Sequence, residues 1–78
     1  MVILELHQVI NIDTTGLDAI EALHEVLRDE GRHLILAGLT RQPLSLIRRS
    51  GFLVELGEKN VVADLKAALA QAQRIVAN

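Results

Sequence analysis

Ile12-Asp13-Thr14-Thr15-Gly16-Leu17 stands where an apolar run gives way to an amphipathic one, and this junction decides the architecture. Upstream, Met1-Val2-Ile3-Leu4-Glu5-Leu6 is branched and apolar with Glu5 as its only charge, which reads as a strand. His7 to Asp13 continue extended or as a loop that brings Ile10 and Ile12 inward. Downstream, Leu17, Ile20, Leu23 and Leu27 recur at helical spacing, flanked by Ala19 and Val26, with Glu21, Glu25, Arg28 and Asp29 toward water. The pattern predicts a helix from about Thr15 to Glu30, closed by Gly31 as a left-handed C-cap. His33-Leu34-Ile35-Leu36-Ala37-Gly38 is continuously apolar after His33, the signature of a strand buried on both faces. Strand, helix and strand make a βαβ unit.

The remainder is shorter-ranged. Thr40 to Gln42 read as a loop, and Pro43 suits a first helical turn. Leu44, Leu46 and Ile47 give a short second helix its buried side. Ser50-Gly51 end it, and Phe52 is expected to fold back onto that end. Gly57 to Lys59 make a turn, Val61-Val62 a third strand of minimal length, and Asp64 to Ile75 a last helix with Leu65, Ala68, Leu69, Ala72 and Val76 on one face. Two strands and a stub leave the outer edge of the first strand unpaired. Such an edge invites pairing with another chain, so a homo-oligomer or strand exchange through it is expected.

Composition bounds the function. The 78 residues suffice for one domain, 50% of them are hydrophobic, and Phe52 is the only Phe, Tyr or Trp. A core of Leu, Ile, Val and Ala suits parallel strands covered by helices. No cysteine is present, which rules out disulfides, thiolate metal sites and a cysteine nucleophile in this chain. The net charge of −2, with acids and bases interspersed and no spaced aromatics, argues against nucleic-acid binding. No apolar run approaches the ~20 residues that cross a bilayer.

A strand-to-helix junction can present N–H groups and hydroxyls to an anion. Thr15 therefore has three readings: a helix cap completed by Asp18, with Asp13 or Thr14 as alternative caps; a phosphorylation site; or a direct anion or nucleotide contact. Gly16 permits close approach or an unusual backbone angle. The segment has neither the glycine spacing nor the lysine of a P-loop, so nucleotide binding is weakly supported. Arg41, Arg48 and Arg49 form a small basic patch for an anion or acidic partner, or a solvated helix face. His7, His24 and His33 lack metal-ligand spacing, and Ser45 and Ser50 lack a neighbouring base. No catalytic residue, metal site or cofactor is expected.

Ile12-Asp13-Thr14-Thr15-Gly16-Leu17 resembles the signature loop of STAS domains, shared by sulfate transporters and anti-sigma-factor antagonists. Leu36-Ala37-Gly38-Leu39, Gln42-Pro43-Leu44 and Ile47-Arg48-Arg49-Ser50-Gly51-Phe52 resemble the SulP anion-transporter branch, and the likeness covers nearly the whole chain. The resemblance implies an α/β fold, a small, mostly parallel sheet covered by helices. It equates residues 1–78 with the C-terminal portion of a single STAS domain, without the family's N-terminal hairpin and first helix. It further implies a non-catalytic, cytoplasmic regulatory domain of a SulP-type anion transporter. Such a domain would meet a protein partner, or the membrane part of its parent, through Asp13, Thr14, Thr15, Gly16 and Leu17. The alternative is a free-standing anti-sigma-factor antagonist in which Thr15 accepts phosphate from a partner kinase.

Overall fold

The computed structural model describes residues 1–77. Its elements are β1 (Val2–Glu5), α1 (Thr14–Asp29), β2 (Leu34–Ala37), α2 (Arg41–Ser50), α3 (Phe52–Leu56), a 3₁₀ turn (Glu58–Asn60), β3 (Val61–Val62) and α4 (Leu65–Ala77). The strands form one parallel sheet in the order β1-β2-β3, with Val2 opposite Leu34 and Leu36 opposite Val61.

β2 is the centre, and all four of its residues are buried. Successive side chains of a strand point to opposite faces. Leu34 and Leu36 therefore join Leu17, Leu27, Ile47, Phe52 and Leu56 in the larger core, which α1, α2 and α3 cover. Ile35 and Ala37 face the other way, where Ala68 of α4 meets them with Ile3 and Val62 alongside. α1 closes as expected: Gly31, at φ +72°, donates to Arg28 O at 2.9 Å and Arg32 donates to Leu27 O at 2.7 Å, a Schellman end that satisfies carbonyls of the last turn.

Four details differ from the sequence reading. α2 begins at Arg41, inside the expected loop, because Pro43 falls in the first turn, where no intrahelical N–H bond is required. Phe52 opens a separate five-residue helix and is 1% exposed. Ile10, expected to point inward, is 74% exposed, while Ile12 is half-buried. The inner stripe of α4 is shifted: Ala68, Gln71, Ala72 and Ile75 face inward, whereas Leu65, Leu69 and Val76 are exposed. The cause is the narrow sheet. α4 packs on β2 and β3, and Ala68 reaches full burial because its small side chain allows close approach.

Buried Gln71 links three elements. Its amide donates to Asn60 Oδ1 at 3.1 Å and its oxygen accepts from Arg74 at 3.1 Å, while Asn60 donates to Leu56 O at 3.0 Å. The last helix is thereby tied to the chain's reversal before β3.

Candidate functional site

The chain leaves β1 at Glu5, crosses the C-terminal end of the sheet, and enters α1 through Asp13. Leu6 N–H still donates to Ala37 O at 2.8 Å, so the departure is held against β2. The Glu5 carboxylate then folds over the chain. It accepts from His7 Nδ1 at 2.5 Å and from His7 N at 3.0 Å. The side-chain bond first, then the backbone bond, lower the Glu5 pKa below its ordinary value. Their contribution is present above the ordinary carboxylate pKa and fades as pH falls through the lowered one.

Two α2 residues pin the loop. Gln42 offers both ends of its amide to Ile12: Oε1 accepts from Ile12 N at 2.7 Å and Nε2 donates to Ile12 O at 3.0 Å. Thr40 spends its hydroxyl on Val9 O at 2.9 Å and makes no side-chain cap on its own helix. The loop thus has a defined shape without strand pairing. The sequence carries no local sign of this positioning role of Gln42, because its partner Ile12 lies thirty residues away. Replacing Gln42 by leucine should leave a half-buried N–H and C=O of Ile12 unpaired, at a cost of about 1–3 kcal/mol. Urea unfolding measures the loss, and amide exchange at Ile12 should accelerate with it. Unchanged exchange would show that the loop holds its shape without Gln42.

Asp13 is the cap of α1. Its side chain accepts from Gly16 N at 2.8 Å. The capping box of Thr15 with Asp18 does not form, because the helix starts at Thr14 and Thr15 is already its second residue. Capping therefore leaves the threonine hydroxyls uncommitted, and Thr14 and Thr15 are both exposed. Gly16 serves close approach: a Cβ there would stand 3.0 Å from Ile12 Cγ2, and its φ is not positive. Leu17, expected in the contact loop, is 5% exposed and anchors the loop in the core instead. The accessible part is Asp13, Thr14 and Thr15. Asp13→Ala should cost about 1 kcal/mol of stability in a denaturant titration; no loss would mean that the 2.8 Å cap is not formed in solution.

Arg41, Arg48 and Arg49 all lie exposed on α2. With Leu44 and Ser45 they line a hollow of about 360 Å³. Arg41 also borders a second hollow of about 430 Å³ beside the loop, with Ile10, Asn11 and Gln42. Among the described residues, ion pairs join His7 to Glu5, Arg28 to Glu55 and Arg32 to Glu30, and none involves these three arginines.

The remaining candidates fall elsewhere. His24 is half-buried, edge-on to Phe52 with ring centres 5.5 Å apart, and lines a small cavity with His33 away from the loop. Ser50 Oγ donates to Ile47 O at 2.9 Å and accepts from Phe52 N at 3.2 Å, so its hydroxyl is occupied at the α2–α3 corner. Among the described residues no group of three His, Asp or Glu is placed to hold a metal, and no helix is long and apolar enough to cross a membrane.

A family model for the STAS domain matches residues 1–72. Sulfate transporter 1.1 of Arabidopsis thaliana is 36% identical over 69 residues, covering 88% of this chain and 11% of that protein. The crystal structure of a sulfate transporter family protein from Wolinella succinogenes matches with a TM-score of 0.90 at 33% identity, covering 97% of this chain and 62% of that one. The chain thus spans a small part of the curated relative and under two thirds of the solved one. With its parallel sheet and its Asp13–Leu17 loop, the chain belongs to the STAS domain family.

Proposed function

We propose that the chain is a non-catalytic regulatory domain of a SulP-type sulfate or anion transporter, acting at the cytoplasmic face of the membrane through protein–protein contact. Its similarity to sulfate transporters supports the association. The observation that carries the contact role is the loop. Asp13, Thr14 and Thr15 stand exposed on a segment clamped by Gln42 and Thr40, so the surface is displayed in one shape. Preorganisation of this kind lowers the entropic cost of docking. The partner is a regulatory protein or the membrane part of the parent transporter, and transport itself belongs to that membrane part.

Thr15→Glu should weaken partner binding at least tenfold while leaving the fold intact, because a new charge beside Asp13 alters a docked surface. Binding of the purified membrane part of the transporter to wild-type and variant chains measures this. Equal affinity would remove the loop from the interface.

The exposed Thr15 hydroxyl also suits the second reading, a free-standing anti-sigma-factor antagonist switched by phosphorylation. Mass spectrometry of native material separates the two: stoichiometric phosphate on Thr15 favours the switch, and a long hydrophobic region in the same reading frame favours the transporter.

Self-association belongs to the same proposal. β1 pairs with β2 on one side, and Leu65, Leu69 and Val76 of α4 are exposed. An added strand on the open edge of β1 would satisfy its backbone. Sedimentation of the chain should then show dimers or larger species, and a monodisperse monomer would refute self-association.

A further inference from the structure

We propose that a groove between α2, α3 and the outer edge of β3 receives an extended acidic segment of a partner protein, a second contact separate from the Asp13–Thr15 loop. The groove measures about 550 Å³. Its apolar floor comes from Leu39, Leu44, Leu53 and Val61, each partly exposed, with Val62 and Ala63 bordering it along the strand edge. Arg48 and Glu58 stand along it.

Three independent features meet there. The first is that floor, which offers alternate side chains of an extended segment a place to bury. The second is a free strand edge. β3 ends the sheet, and Val62 O accepts from Gly38 N at 3.0 Å, so Val62 faces β2. In a parallel ladder the flanking Val61 C=O and Ala63 N–H then face away from β2. They offer one acceptor and one donor to an added strand. The third is charge. Arg48 borders both the groove and the arginine-lined hollow with Arg41 and Arg49, so the apolar floor runs into a cationic patch. No acid occurs in Arg41–Ser50, and these arginines have no carboxylate partner among the described residues. The chain as a whole carries −2, so its acidic excess lies outside α2; Glu58 also lines the groove, and an acidic segment is therefore drawn to the α2 side of it.

Charge and shape together select the occupant. Carboxylates spaced along an extended backbone can pair with the guanidinium forks while intervening Val, Ile or Leu side chains fill the floor. An anionic lipid surface would meet the arginines, yet leave the floor empty and the β3 edge unpaired. A second copy of this net-acidic chain would have to supply an extended acidic stretch from within its own fold.

The test is a phage-displayed random peptide library selected on the chain and counter-selected on Arg48→Glu, an exposed change with no partner to lose. Enriched peptides should alternate acids with branched apolar residues. A synthetic winner should bind the wild-type chain with a dissociation constant in the micromolar range, weaken at least tenfold on Arg48→Glu, and shift the amide resonances of Val61 to Ala63. Those shifts separate this outcome from success or failure at the Thr15 loop. The proposal is overturned if no peptide discriminates the variant, or if the shifts fall on Thr14 and Thr15 instead. Binding of phosphatidylserine vesicles through Arg48 without any peptide preference would also overturn it, as would burial of the groove in a dimer of the chain.

Discussion

Replacing Phe52 by alanine should remove about 3–5 kcal/mol of folding stability, more than most single changes. A chain of this length has about 4–12 kcal/mol in all. The variant should therefore lose about a quarter or more of its stability and, at the lower end of that range, stand near its unfolding midpoint in buffer. The loss follows from position. Phe52 is the only aromatic of its class in the chain, is 1% exposed, and lies in the larger core with Leu34, Leu36 and Ile47. Its removal leaves a cavity at the corner where α2 hands over to α3, and the short α3 cannot collapse into it without dragging Leu56 from the same core. His24 loses its edge-on ring contact at the same time, worth about 0.5–1.5 kcal/mol. Phe52→Leu, which keeps most of the volume, should cost far less. Urea titration of both variants gives the comparison. A loss under about 1 kcal/mol for the alanine variant would mean that Phe52 is not the keystone of this core.

How far residues predict such a structure depends on the range of the forces involved. β2 was legible because four successive apolar residues between a helix end and a glycine have no other stable place than the middle of a parallel sheet. α1 was legible because sixteen residues carry more than four helical turns of pattern. α3 was not: five residues span little more than one turn, and periodicity cannot declare itself over that length. The rotation of α4 was hidden for another reason. Leu65, Leu69 and Val76 make the more hydrophobic stripe, but the sheet is wide enough to bury only the stripe beside it, centred on Ala68. Sheet width is a property of the whole assembly and leaves no mark on a helix. The site divides in the same way. Asp13, Thr14 and Thr15 announced themselves by local chemistry, since a short acid and two hydroxyls before a helical pattern mark a helix start. Gln42 and Thr40, which hold that segment in place, act across thirty residues and carry no signal until the fold brings them there.

Gly38 tests whether the path of the loop depends on its support. It sits at φ +75°, where the chain leaves β2, and a Cβ there would stand 2.8 Å from Glu5 Oε2, 3.2 Å from His7 Cβ and 3.3 Å from His7 N. Glu5 Oε2 ends a flexible side chain and can retreat, since the bonds to His7 are made by the other oxygen, Oε1. The His7 backbone cannot retreat without lifting the start of the loop off β2. Gly38→Ala should therefore cost the left-handed penalty of about 1–2 kcal/mol and a steric term of similar size. Gly31→Ala is the internal control: it has a nearly equal φ of +72° and nothing within 4 Å, so it pays the backbone penalty alone. The difference between the two variants in denaturant titrations isolates the packing of Gly38 against the His7 segment. Amide resonances should tell the same story, with Gly38→Ala moving His7 through Thr15 and Gly31→Ala moving only the end of α1. Equal costs for the two variants would mean that the close approach is relieved without strain, and that the loop takes its shape from Gln42 and Thr40 alone.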